Sequence, residues 1–256
     1  MTAPALRRLA RLALVLLIAL LSASCKRPPP EVTVAAAASL RAVMPALLQA
    51  FEQREPGAAV VVTYGASGSL RQQVEGGAPI ELVVFASAEP VDKLVRAGLV
   101  DANSRHVVAK NRLVLVGPRG GAPVSFATLA ALGPGDKLAI GEPSSVPAGR
   151  YAERALKALG AWQAVEPRLV YGGDVTAVLT YARRAEVRAA IVYATDVRGL
   201  ADVVVFDAVP EAQAPRIEVV AGAVTAGASP RARALLAFIR SGEGQRVFAS
   251  FGFQHP

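Results

Sequence analysis

Short β-branched runs alternate along the chain with longer segments whose apolar residues recur every three or four positions. Glu31–Ala36, Ala59–Tyr64 and Ile80–Ala86 read as strands. Between the first two, Leu40, Val43, Met44, Leu47, Leu48 and Phe51 form one helical stripe, and Pro45 inside it is expected to kink the helix or loosen its first turns. Leu70–Glu75 and Pro90–Ala97 read as short helices ending at Gly76-Gly77 and Gly98, and Arg112–Val116 as a strand closed by Gly117-Pro118. The alternation then begins again. Lys137–Ile140 and Arg168–Tyr171 are strands, each followed by a helix, Ala148–Leu159 and Val175–Arg183. Ala189–Tyr193, Asp202–Phe206 and Arg216–Val224 are further strands. Ser229 caps a helix with Pro230 at its first position, and a last helix carries Val247, Phe248 and Phe251.

Strand–helix alternation of this kind argues for crossover units and mostly parallel sheets flanked by helices, an α/β fold. Two successive sets suggest two lobes joined by two crossover connections, placed near 112–118 and 216–224.

The first 24 residues stand apart from this pattern. Arg7, Arg8 and Arg11 precede the apolar run Leu12–Leu21 and the small-residue zone Ser22-Ala23-Ser24, the layout of an export signal. The run is about ten residues, where a membrane-spanning helix needs roughly 20. Residues 1–24 are therefore expected to be a signal peptide, and the mature protein to work in the periplasm or otherwise outside the cytoplasm. Cys25 follows at once, so Leu21-Ser22-Ala23-Ser24-Cys25 resembles a bacterial lipobox, with Ser22 where Leu is usual. That resemblance implies lipidation of Cys25 and a membrane tether through 25–30, where Lys26-Arg27-Pro28-Pro29-Pro30 reads as a stiff spacer. The only cysteine cannot form an internal disulfide.

The formal charge of +8 from 28 basic and 20 acidic residues falls to 25 − 20 = +5 once the three arginines of the signal are removed. The bases are scattered without a basic run rich in aromatics, which argues against nucleic-acid binding.

Candidate chemistry lies where strands run into small or hydroxyl residues. Four junctions stand out: Ala35-Ala36-Ala37-Ala38-Ser39-Leu40, Tyr64-Gly65-Ala66-Ser67-Gly68-Ser69, Ser145-Val146-Pro147-Ala148-Gly149 and Tyr171-Gly172-Gly173-Asp174-Val175. Each offers free backbone N–H groups at a helix start, and convergent helix N-termini suit a small anion. Ser39 also reads as a plain helix cap, Ser67 as a turn residue, and Tyr193 as either a phenolic donor or a half-buried core tyrosine. Asp174 reads as a cap, and Arg150 as a first-turn residue facing solvent. Catalysis has little support. His106 and His255 lack metal-ligand spacing, Gly65-Ala66-Ser67-Gly68-Ser69 departs from the nucleophile elbow at its fifth residue, and phosphate or dinucleotide fingerprints are missing. No cofactor is expected.

Several motifs carry a family resemblance over residues 31–256. Val32-Thr33-Val34-Ala35-Ala36-Ala37-Ala38-Ser39-Leu40, Gly76-Gly77-Ala78-Pro79 with Glu81-Leu82, and Gly141-Glu142-Pro143 with Val146-Pro147-Ala148-Gly149-Arg150-Tyr151-Ala152 resemble the periplasmic molybdate-binding proteins of ATP-driven (ABC-type) importers. Leu159-Gly160-Ala161-Trp162, Ile191-Val192-Tyr193-Ala194-Thr195-Asp196 and Phe251-Gly252-Phe253 agree as well. Glu81 stands where that family usually has Asp, and Gly172-Gly173-Asp174-Val175-Thr176 departs from its pattern.

The resemblance implies a two-lobed periplasmic-binding-protein fold of the second topology, with 31–114 plus 221–256 as one lobe and 115–220 as the other. It implies a solute-binding protein rather than an enzyme, holding molybdate or tungstate through Ser39, Ser67, Ala148, Val175 and Tyr193. The metal is met only through its oxyanion. A membrane permease would be the partner, and the protein itself a monomer. The alternatives are a binding protein for sulfate or phosphate on the same fold, and an exported hydrolase using Ser67.

Overall fold

In a computed structural model, residues 31–57 and 59–256 are described, and from Val32 onward they form one compact unit. The signal segment, Cys25 and the Pro-rich spacer lie outside the described residues.

The Ala-rich first strand shows why the chain folds as a layered α/β structure. In β1 (Val32–Ala37), Val34 and Ala36 face one helix layer and Ala35 the other, because side chains alternate across a strand. Both faces are covered, and small side chains let the helices come close. Next come a 3-10 turn (Ala38–Leu40), α1 (Met44–Arg54), β2 (Val60–Gly65), α2 (Ser67–Glu75), β3 (Leu82–Phe85), α3 (Ala88–Arg96) and β4 (His106–Asn111). Pro45 does not kink a helix here. It falls in the first turn of α1, where its missing N–H costs nothing, and the stripe residues Leu40 and Val43 belong to the turn before it.

The chain then enters its second half with β5 (Leu113–Pro118), β6 (Leu138–Gly141), α4 (Pro147–Ala158), α5 (Trp162–Val165), β7 (Leu169–Gly172), α6 (Val175–Arg183), β8 (Ala189–Tyr193) and β9 (Val203–Ala208). β10 (Ile217–Ala223), α7 (Pro230–Arg240) and α8 (Gly242–Ser250) complete it, with Ser229 Oγ accepting from the Ala232 amide as the expected cap of α7.

Two five-stranded sheets result, in the orders β2-β1-β3-β10-β4 and β7-β6-β8-β5-β9. The β2-β1-β3 and β7-β6-β8 halves are parallel, as crossover helices require. The other half of each sheet is antiparallel, because β10 and β5 arrive by crossing from the opposite lobe. The first crossing lies at Arg112: β5 pairs with β8 from Leu113 onward, so it belongs whole to the second lobe. β10 pairs with β4 from Ile217 onward, so it lies whole in the first, and the return crossing falls within 209–216. These points sit a few residues from the divisions at 114/115 and 220/221 drawn from the sequence, because ladder pairing decides which sheet owns a strand. At the first crossing, buried Asn111 donates through Nδ2 to Thr195 Oγ1 at 2.8 Å and accepts from the Arg112 amide at 2.9 Å.

Candidate anion-binding site

The carboxyl ends of β1, β2 and β3 face those of β6, β7 and β8, so both lobes turn the same part of their topology toward one cavity. Such strand ends, where successive crossovers leave on opposite sides of a sheet, are the usual ligand positions of open α/β folds.

In the first lobe, β1 ends at Ala37 and the chain turns through Ala38, Ser39 and Leu40. Ser39 is buried at the cavity and caps nothing, since α1 starts later, at Met44, with Val43 before it and no side-chain cap. Ser67 is the first residue of α2 and is 0% exposed. Its Oγ accepts from the Ala86 amide at 3.2 Å, which leaves the hydroxyl proton free to be donated elsewhere. Ser67 is thus a side chain held by a specific partner, not a plain turn residue.

In the second lobe the cavity is built from backbone. Pro147 and Ala148 open α4 with no side-chain cap, so the Ala148 amide has no acceptor within its helix. The glycines of the motif explain how close this helix start comes to the sheet. A Cβ on Gly149 would lie 1.9 Å from the Gly141 carbonyl oxygen, and one on Gly141 would lie 2.5 Å from Val146 Cγ1. Val175 opens α6, and Asp174 caps that helix as expected, its Oδ1 accepting from the Ala177 amide at 2.9 Å.

Tyr193 ends β8 at 1% exposure, and its buried Oη has no hydrogen-bond partner among the described residues. Burial first, then the neighbouring Tyr151 and Asp196, push the phenol well above its ordinary range, with Arg150 acting the other way. The hydroxyl is therefore a neutral donor at physiological pH. Asp196 Oδ2 accepts from the Tyr193 amide at 3.0 Å, and desolvation, opposed by that hydrogen bond and aided by the charge of Asp174, lifts its carboxyl to about 8. Near neutral pH it adds little negative charge behind the tyrosine.

Ser39, Ser67, Ala148, Val175 and Tyr193 all line this one cavity, together with Ala37, Ala38, Ala66, Ala86, Val146 and Asp174 among others. Lys, Arg and His are missing from its described lining. About 10 Å³ of it is open to the centre of a water molecule, close to the roughly 10–15 Å³ that one water needs. That is room for about one water, too little for a sugar or a peptide. A larger cavity of about 420 Å³ lies by the crossings, between Lys110, Arg112, Glu211 and Arg216, and touches none of the five.

Arg150 differs from its expected solvent-facing place. Its Nη2 is buried and stands 3.2 Å from Glu89 Oε2 of the other lobe, in reach as an ion pair but not aligned as a hydrogen bond. Sequence reasoning also missed Ala86, whose amide orients Ser67. A backbone donor carries no side-chain signature, so nothing in the residue type marks it.

The profile described as bacterial extracellular solute-binding protein matches residues 32–254. The chain belongs to that family. The molybdate-binding protein ModA of Escherichia coli (strain K12) is 31% identical over 228 residues, covering 87% of this chain and 88% of the relative. ModA of Haemophilus influenzae is 31% identical over 254 residues, with 97% and 99% covered. Among solved structures, the periplasmic molybdate-binding protein of Azotobacter vinelandii superposes with a TM-score of 0.78 at 21% identity, covering 88% of this chain and 100% of that one. The sulfate-binding protein SubI from Mycobacterium tuberculosis H37Rv reaches 0.74 at 20%, covering 88% and 86%. The resemblance read from the motifs holds, and with it the two-lobed fold of extracellular solute-binding proteins.

Proposed function

We propose that this solute-binding protein captures molybdate, and tungstate equally in kind, between its lobes outside the cytoplasmic membrane and delivers it to the permease of an ABC importer. The observation that carries the reading is the buried, unpartnered hydroxyl of Tyr193 on a small cavity whose other polar groups are serine hydroxyls and helix-start amides. Relatives named as molybdate-binding proteins at 31% identity over most of both chains support it.

The energetics are favourable without a cationic side chain. Dehydrating an ion costs at least several kcal/mol even after relaxation. A hydrogen bond to a charged group returns about 1.5–3 kcal/mol, so a shell of about seven offsets that cost. A rim of fixed donors selects a tetrahedral dianion by size: the shorter bonds of sulfate leave donors out of reach. Phosphate carries a proton that wants an acceptor; Asp174, the one carboxylate on the described lining, uses Oδ1 on the Ala177 amide and keeps Oδ2, so phosphate belongs among the anions tested. A hydrolytic role for Ser67 gains no support, since its Oγ accepts from an amide and no histidine is on the described lining.

Cys25 as a lipid attachment point belongs to the same proposal, and mass spectrometry of the membrane fraction tests it. Isothermal titration with molybdate, tungstate, sulfate and phosphate tests the ligand. Tight binding of the first two with much weaker sulfate is expected, and equal sulfate affinity would refute selection by size.

A further inference from the structure

The two lobes touch directly beside the cavity at a backbone contact that the ligand donors do not explain. The amide of Gly68, second residue of α2, donates to the Ser145 carbonyl of the opposite lobe at 3.0 Å. The position leaves no room for a side chain. A Cβ on Gly68 would lie 2.5 Å from Ser145 O, 3.0 Å from its Cα and 3.1 Å from its carbonyl carbon, all backbone atoms that cannot rotate aside.

The atoms that an added Cβ would meet first lie outside its own lobe. Gly68 is helical, and it is not among the glycines with positive φ. All three of the nearest atoms an added Cβ would meet belong to Ser145. The requirement therefore comes from across the cleft. The contact also sits between two groups that face the cavity, since Ser67 precedes Gly68 and Ala148 lies three residues after Ser145. Nearby, Glu89 of α3 and Arg150 of α4 pair across the same division at 3.2 Å, with side chains 42% and 24% exposed. An ion pair so open to solvent contributes little by itself.

We propose that Gly68 is the closure residue of this protein: its bare Cα lets the Ser145 carbonyl seat on the first turn of α2, so that the lobes can meet around a bound anion, with Glu89–Arg150 as a weaker clasp. The inference rests on the reading of the chain as a two-lobed anion trap. It goes beyond that reading by naming a residue that offers the ligand nothing and sets how long it is held.

A closure residue acts after encounter, so it changes dissociation and not association. The test compares the full chain with Gly68→Ala and Glu89→Gln, using stopped-flow binding, small-angle scattering with and without anion, and melting of the unliganded protein. For Gly68→Ala with molybdate, koff rises and Kd weakens at least about tenfold while kon stays within about twofold, and the compaction seen for wild type shrinks. The unliganded melting temperature stays level or rises, because alanine suits a helix better than glycine. Glu89→Gln weakens binding less than about threefold, and salt narrows that difference.

Wild-type koff and compaction in Gly68→Ala would overturn the proposal while leaving molybdate capture intact. A lowered unliganded melting temperature would also overturn it, by placing the need for glycine inside the first lobe. If wild type ignores molybdate but compacts in sulfate or phosphate, the ligand reading fails, and the Gly68→Ala comparison in that anion decides the closure residue alone. Wild type compacting in none of these anions overturns both.

Discussion

The first lobe turns side-chain hydroxyls toward the cavity, Ser39 from a 3-10 turn and Ser67 from the start of α2, while the second turns the backbone starts of α4 and α6 and the Tyr193 phenol. The strand order is the same in both, three parallel strands ordered second-first-third, then the strand that crosses from the other lobe, then an edge strand. What differs is how each junction leaves its sheet. In the second lobe Gly141 and Gly149 let α4 begin in contact with the end of β6, so the amides are placed by packing. In the first, β1 passes into a turn before α1 starts, and a side chain must reach the cavity instead. One topology thus yields a lobe whose cavity-lining groups depend on residue identity and another whose groups, Tyr193 apart, depend on backbone fit.

The sharpest way to break that contrast is Gly149→Ala. A methyl 1.9 Å from the Gly141 carbonyl forces the start of α4 off its strand, and urea unfolding should show a loss of about 3 kcal/mol. Wild-type stability would mean that the second lobe is not set by backbone fit. Ser67→Ala comes next. It strips one acceptor from the buried Ala86 amide, so stability should fall by about 1–2 kcal/mol and molybdate affinity by about tenfold to a hundredfold. Tyr193→Phe should separate the two effects: the phenol is unpartnered, so unliganded stability holds or rises by up to about 1 kcal/mol while affinity drops about tenfold or more. Calorimetry and thermal melting of the same sample check both.

The smallest effect on affinity comes from pH. The Asp196 carboxyl titrates at about 8 in the folded protein against 3.8 ordinarily, so between these values the folded state holds a proton that the unfolded chain has released. The unfolding free energy therefore declines as pH rises from about 4 to about 8 and flattens above, and Asp196→Asn should remove that decline. Above pH 8 the ionised carboxylate, beside the Tyr193 amide and near Asp174, should lower anion affinity a fewfold in titrations from pH 7 to pH 9. A flat affinity profile would separate Asp196 from the site.

Much of this was readable from residues because the strand–helix junctions carry unusual composition. The Ala run before Ser39, the Gly-rich start of α2 and the Pro-Ala-Gly start of α4 all meet at the cavity. β4 was not readable: in His106-Val107-Val108-Ala109-Lys110-Asn111 only a short apolar centre marks a strand, and its pairing with β10 across more than a hundred residues holds it in the sheet. The crossings shifted by a few residues for the same reason, since pairing and not hydropathy ends a lobe. Arg150 looked like a solvent-facing residue because a single helix gives no sign of a carboxylate brought up by the other lobe. Gly68 was visible as a glycine, but the carbonyl that demands it belongs to residue 145.

On the proposed reading, uncharged donors from both lobes hold one dianion without a cationic side chain. Crystals of the protein grown with molybdate and measured at the molybdenum absorption edge test it most directly. The expected anomalous map shows a single peak in the cavity, with the oxyanion within hydrogen-bond distance of Ser39, Ser67, Ala148, Val175 and Tyr193. A peak seated against Arg150, Arg154 or Arg216, or no peak between the lobes, would contradict the account.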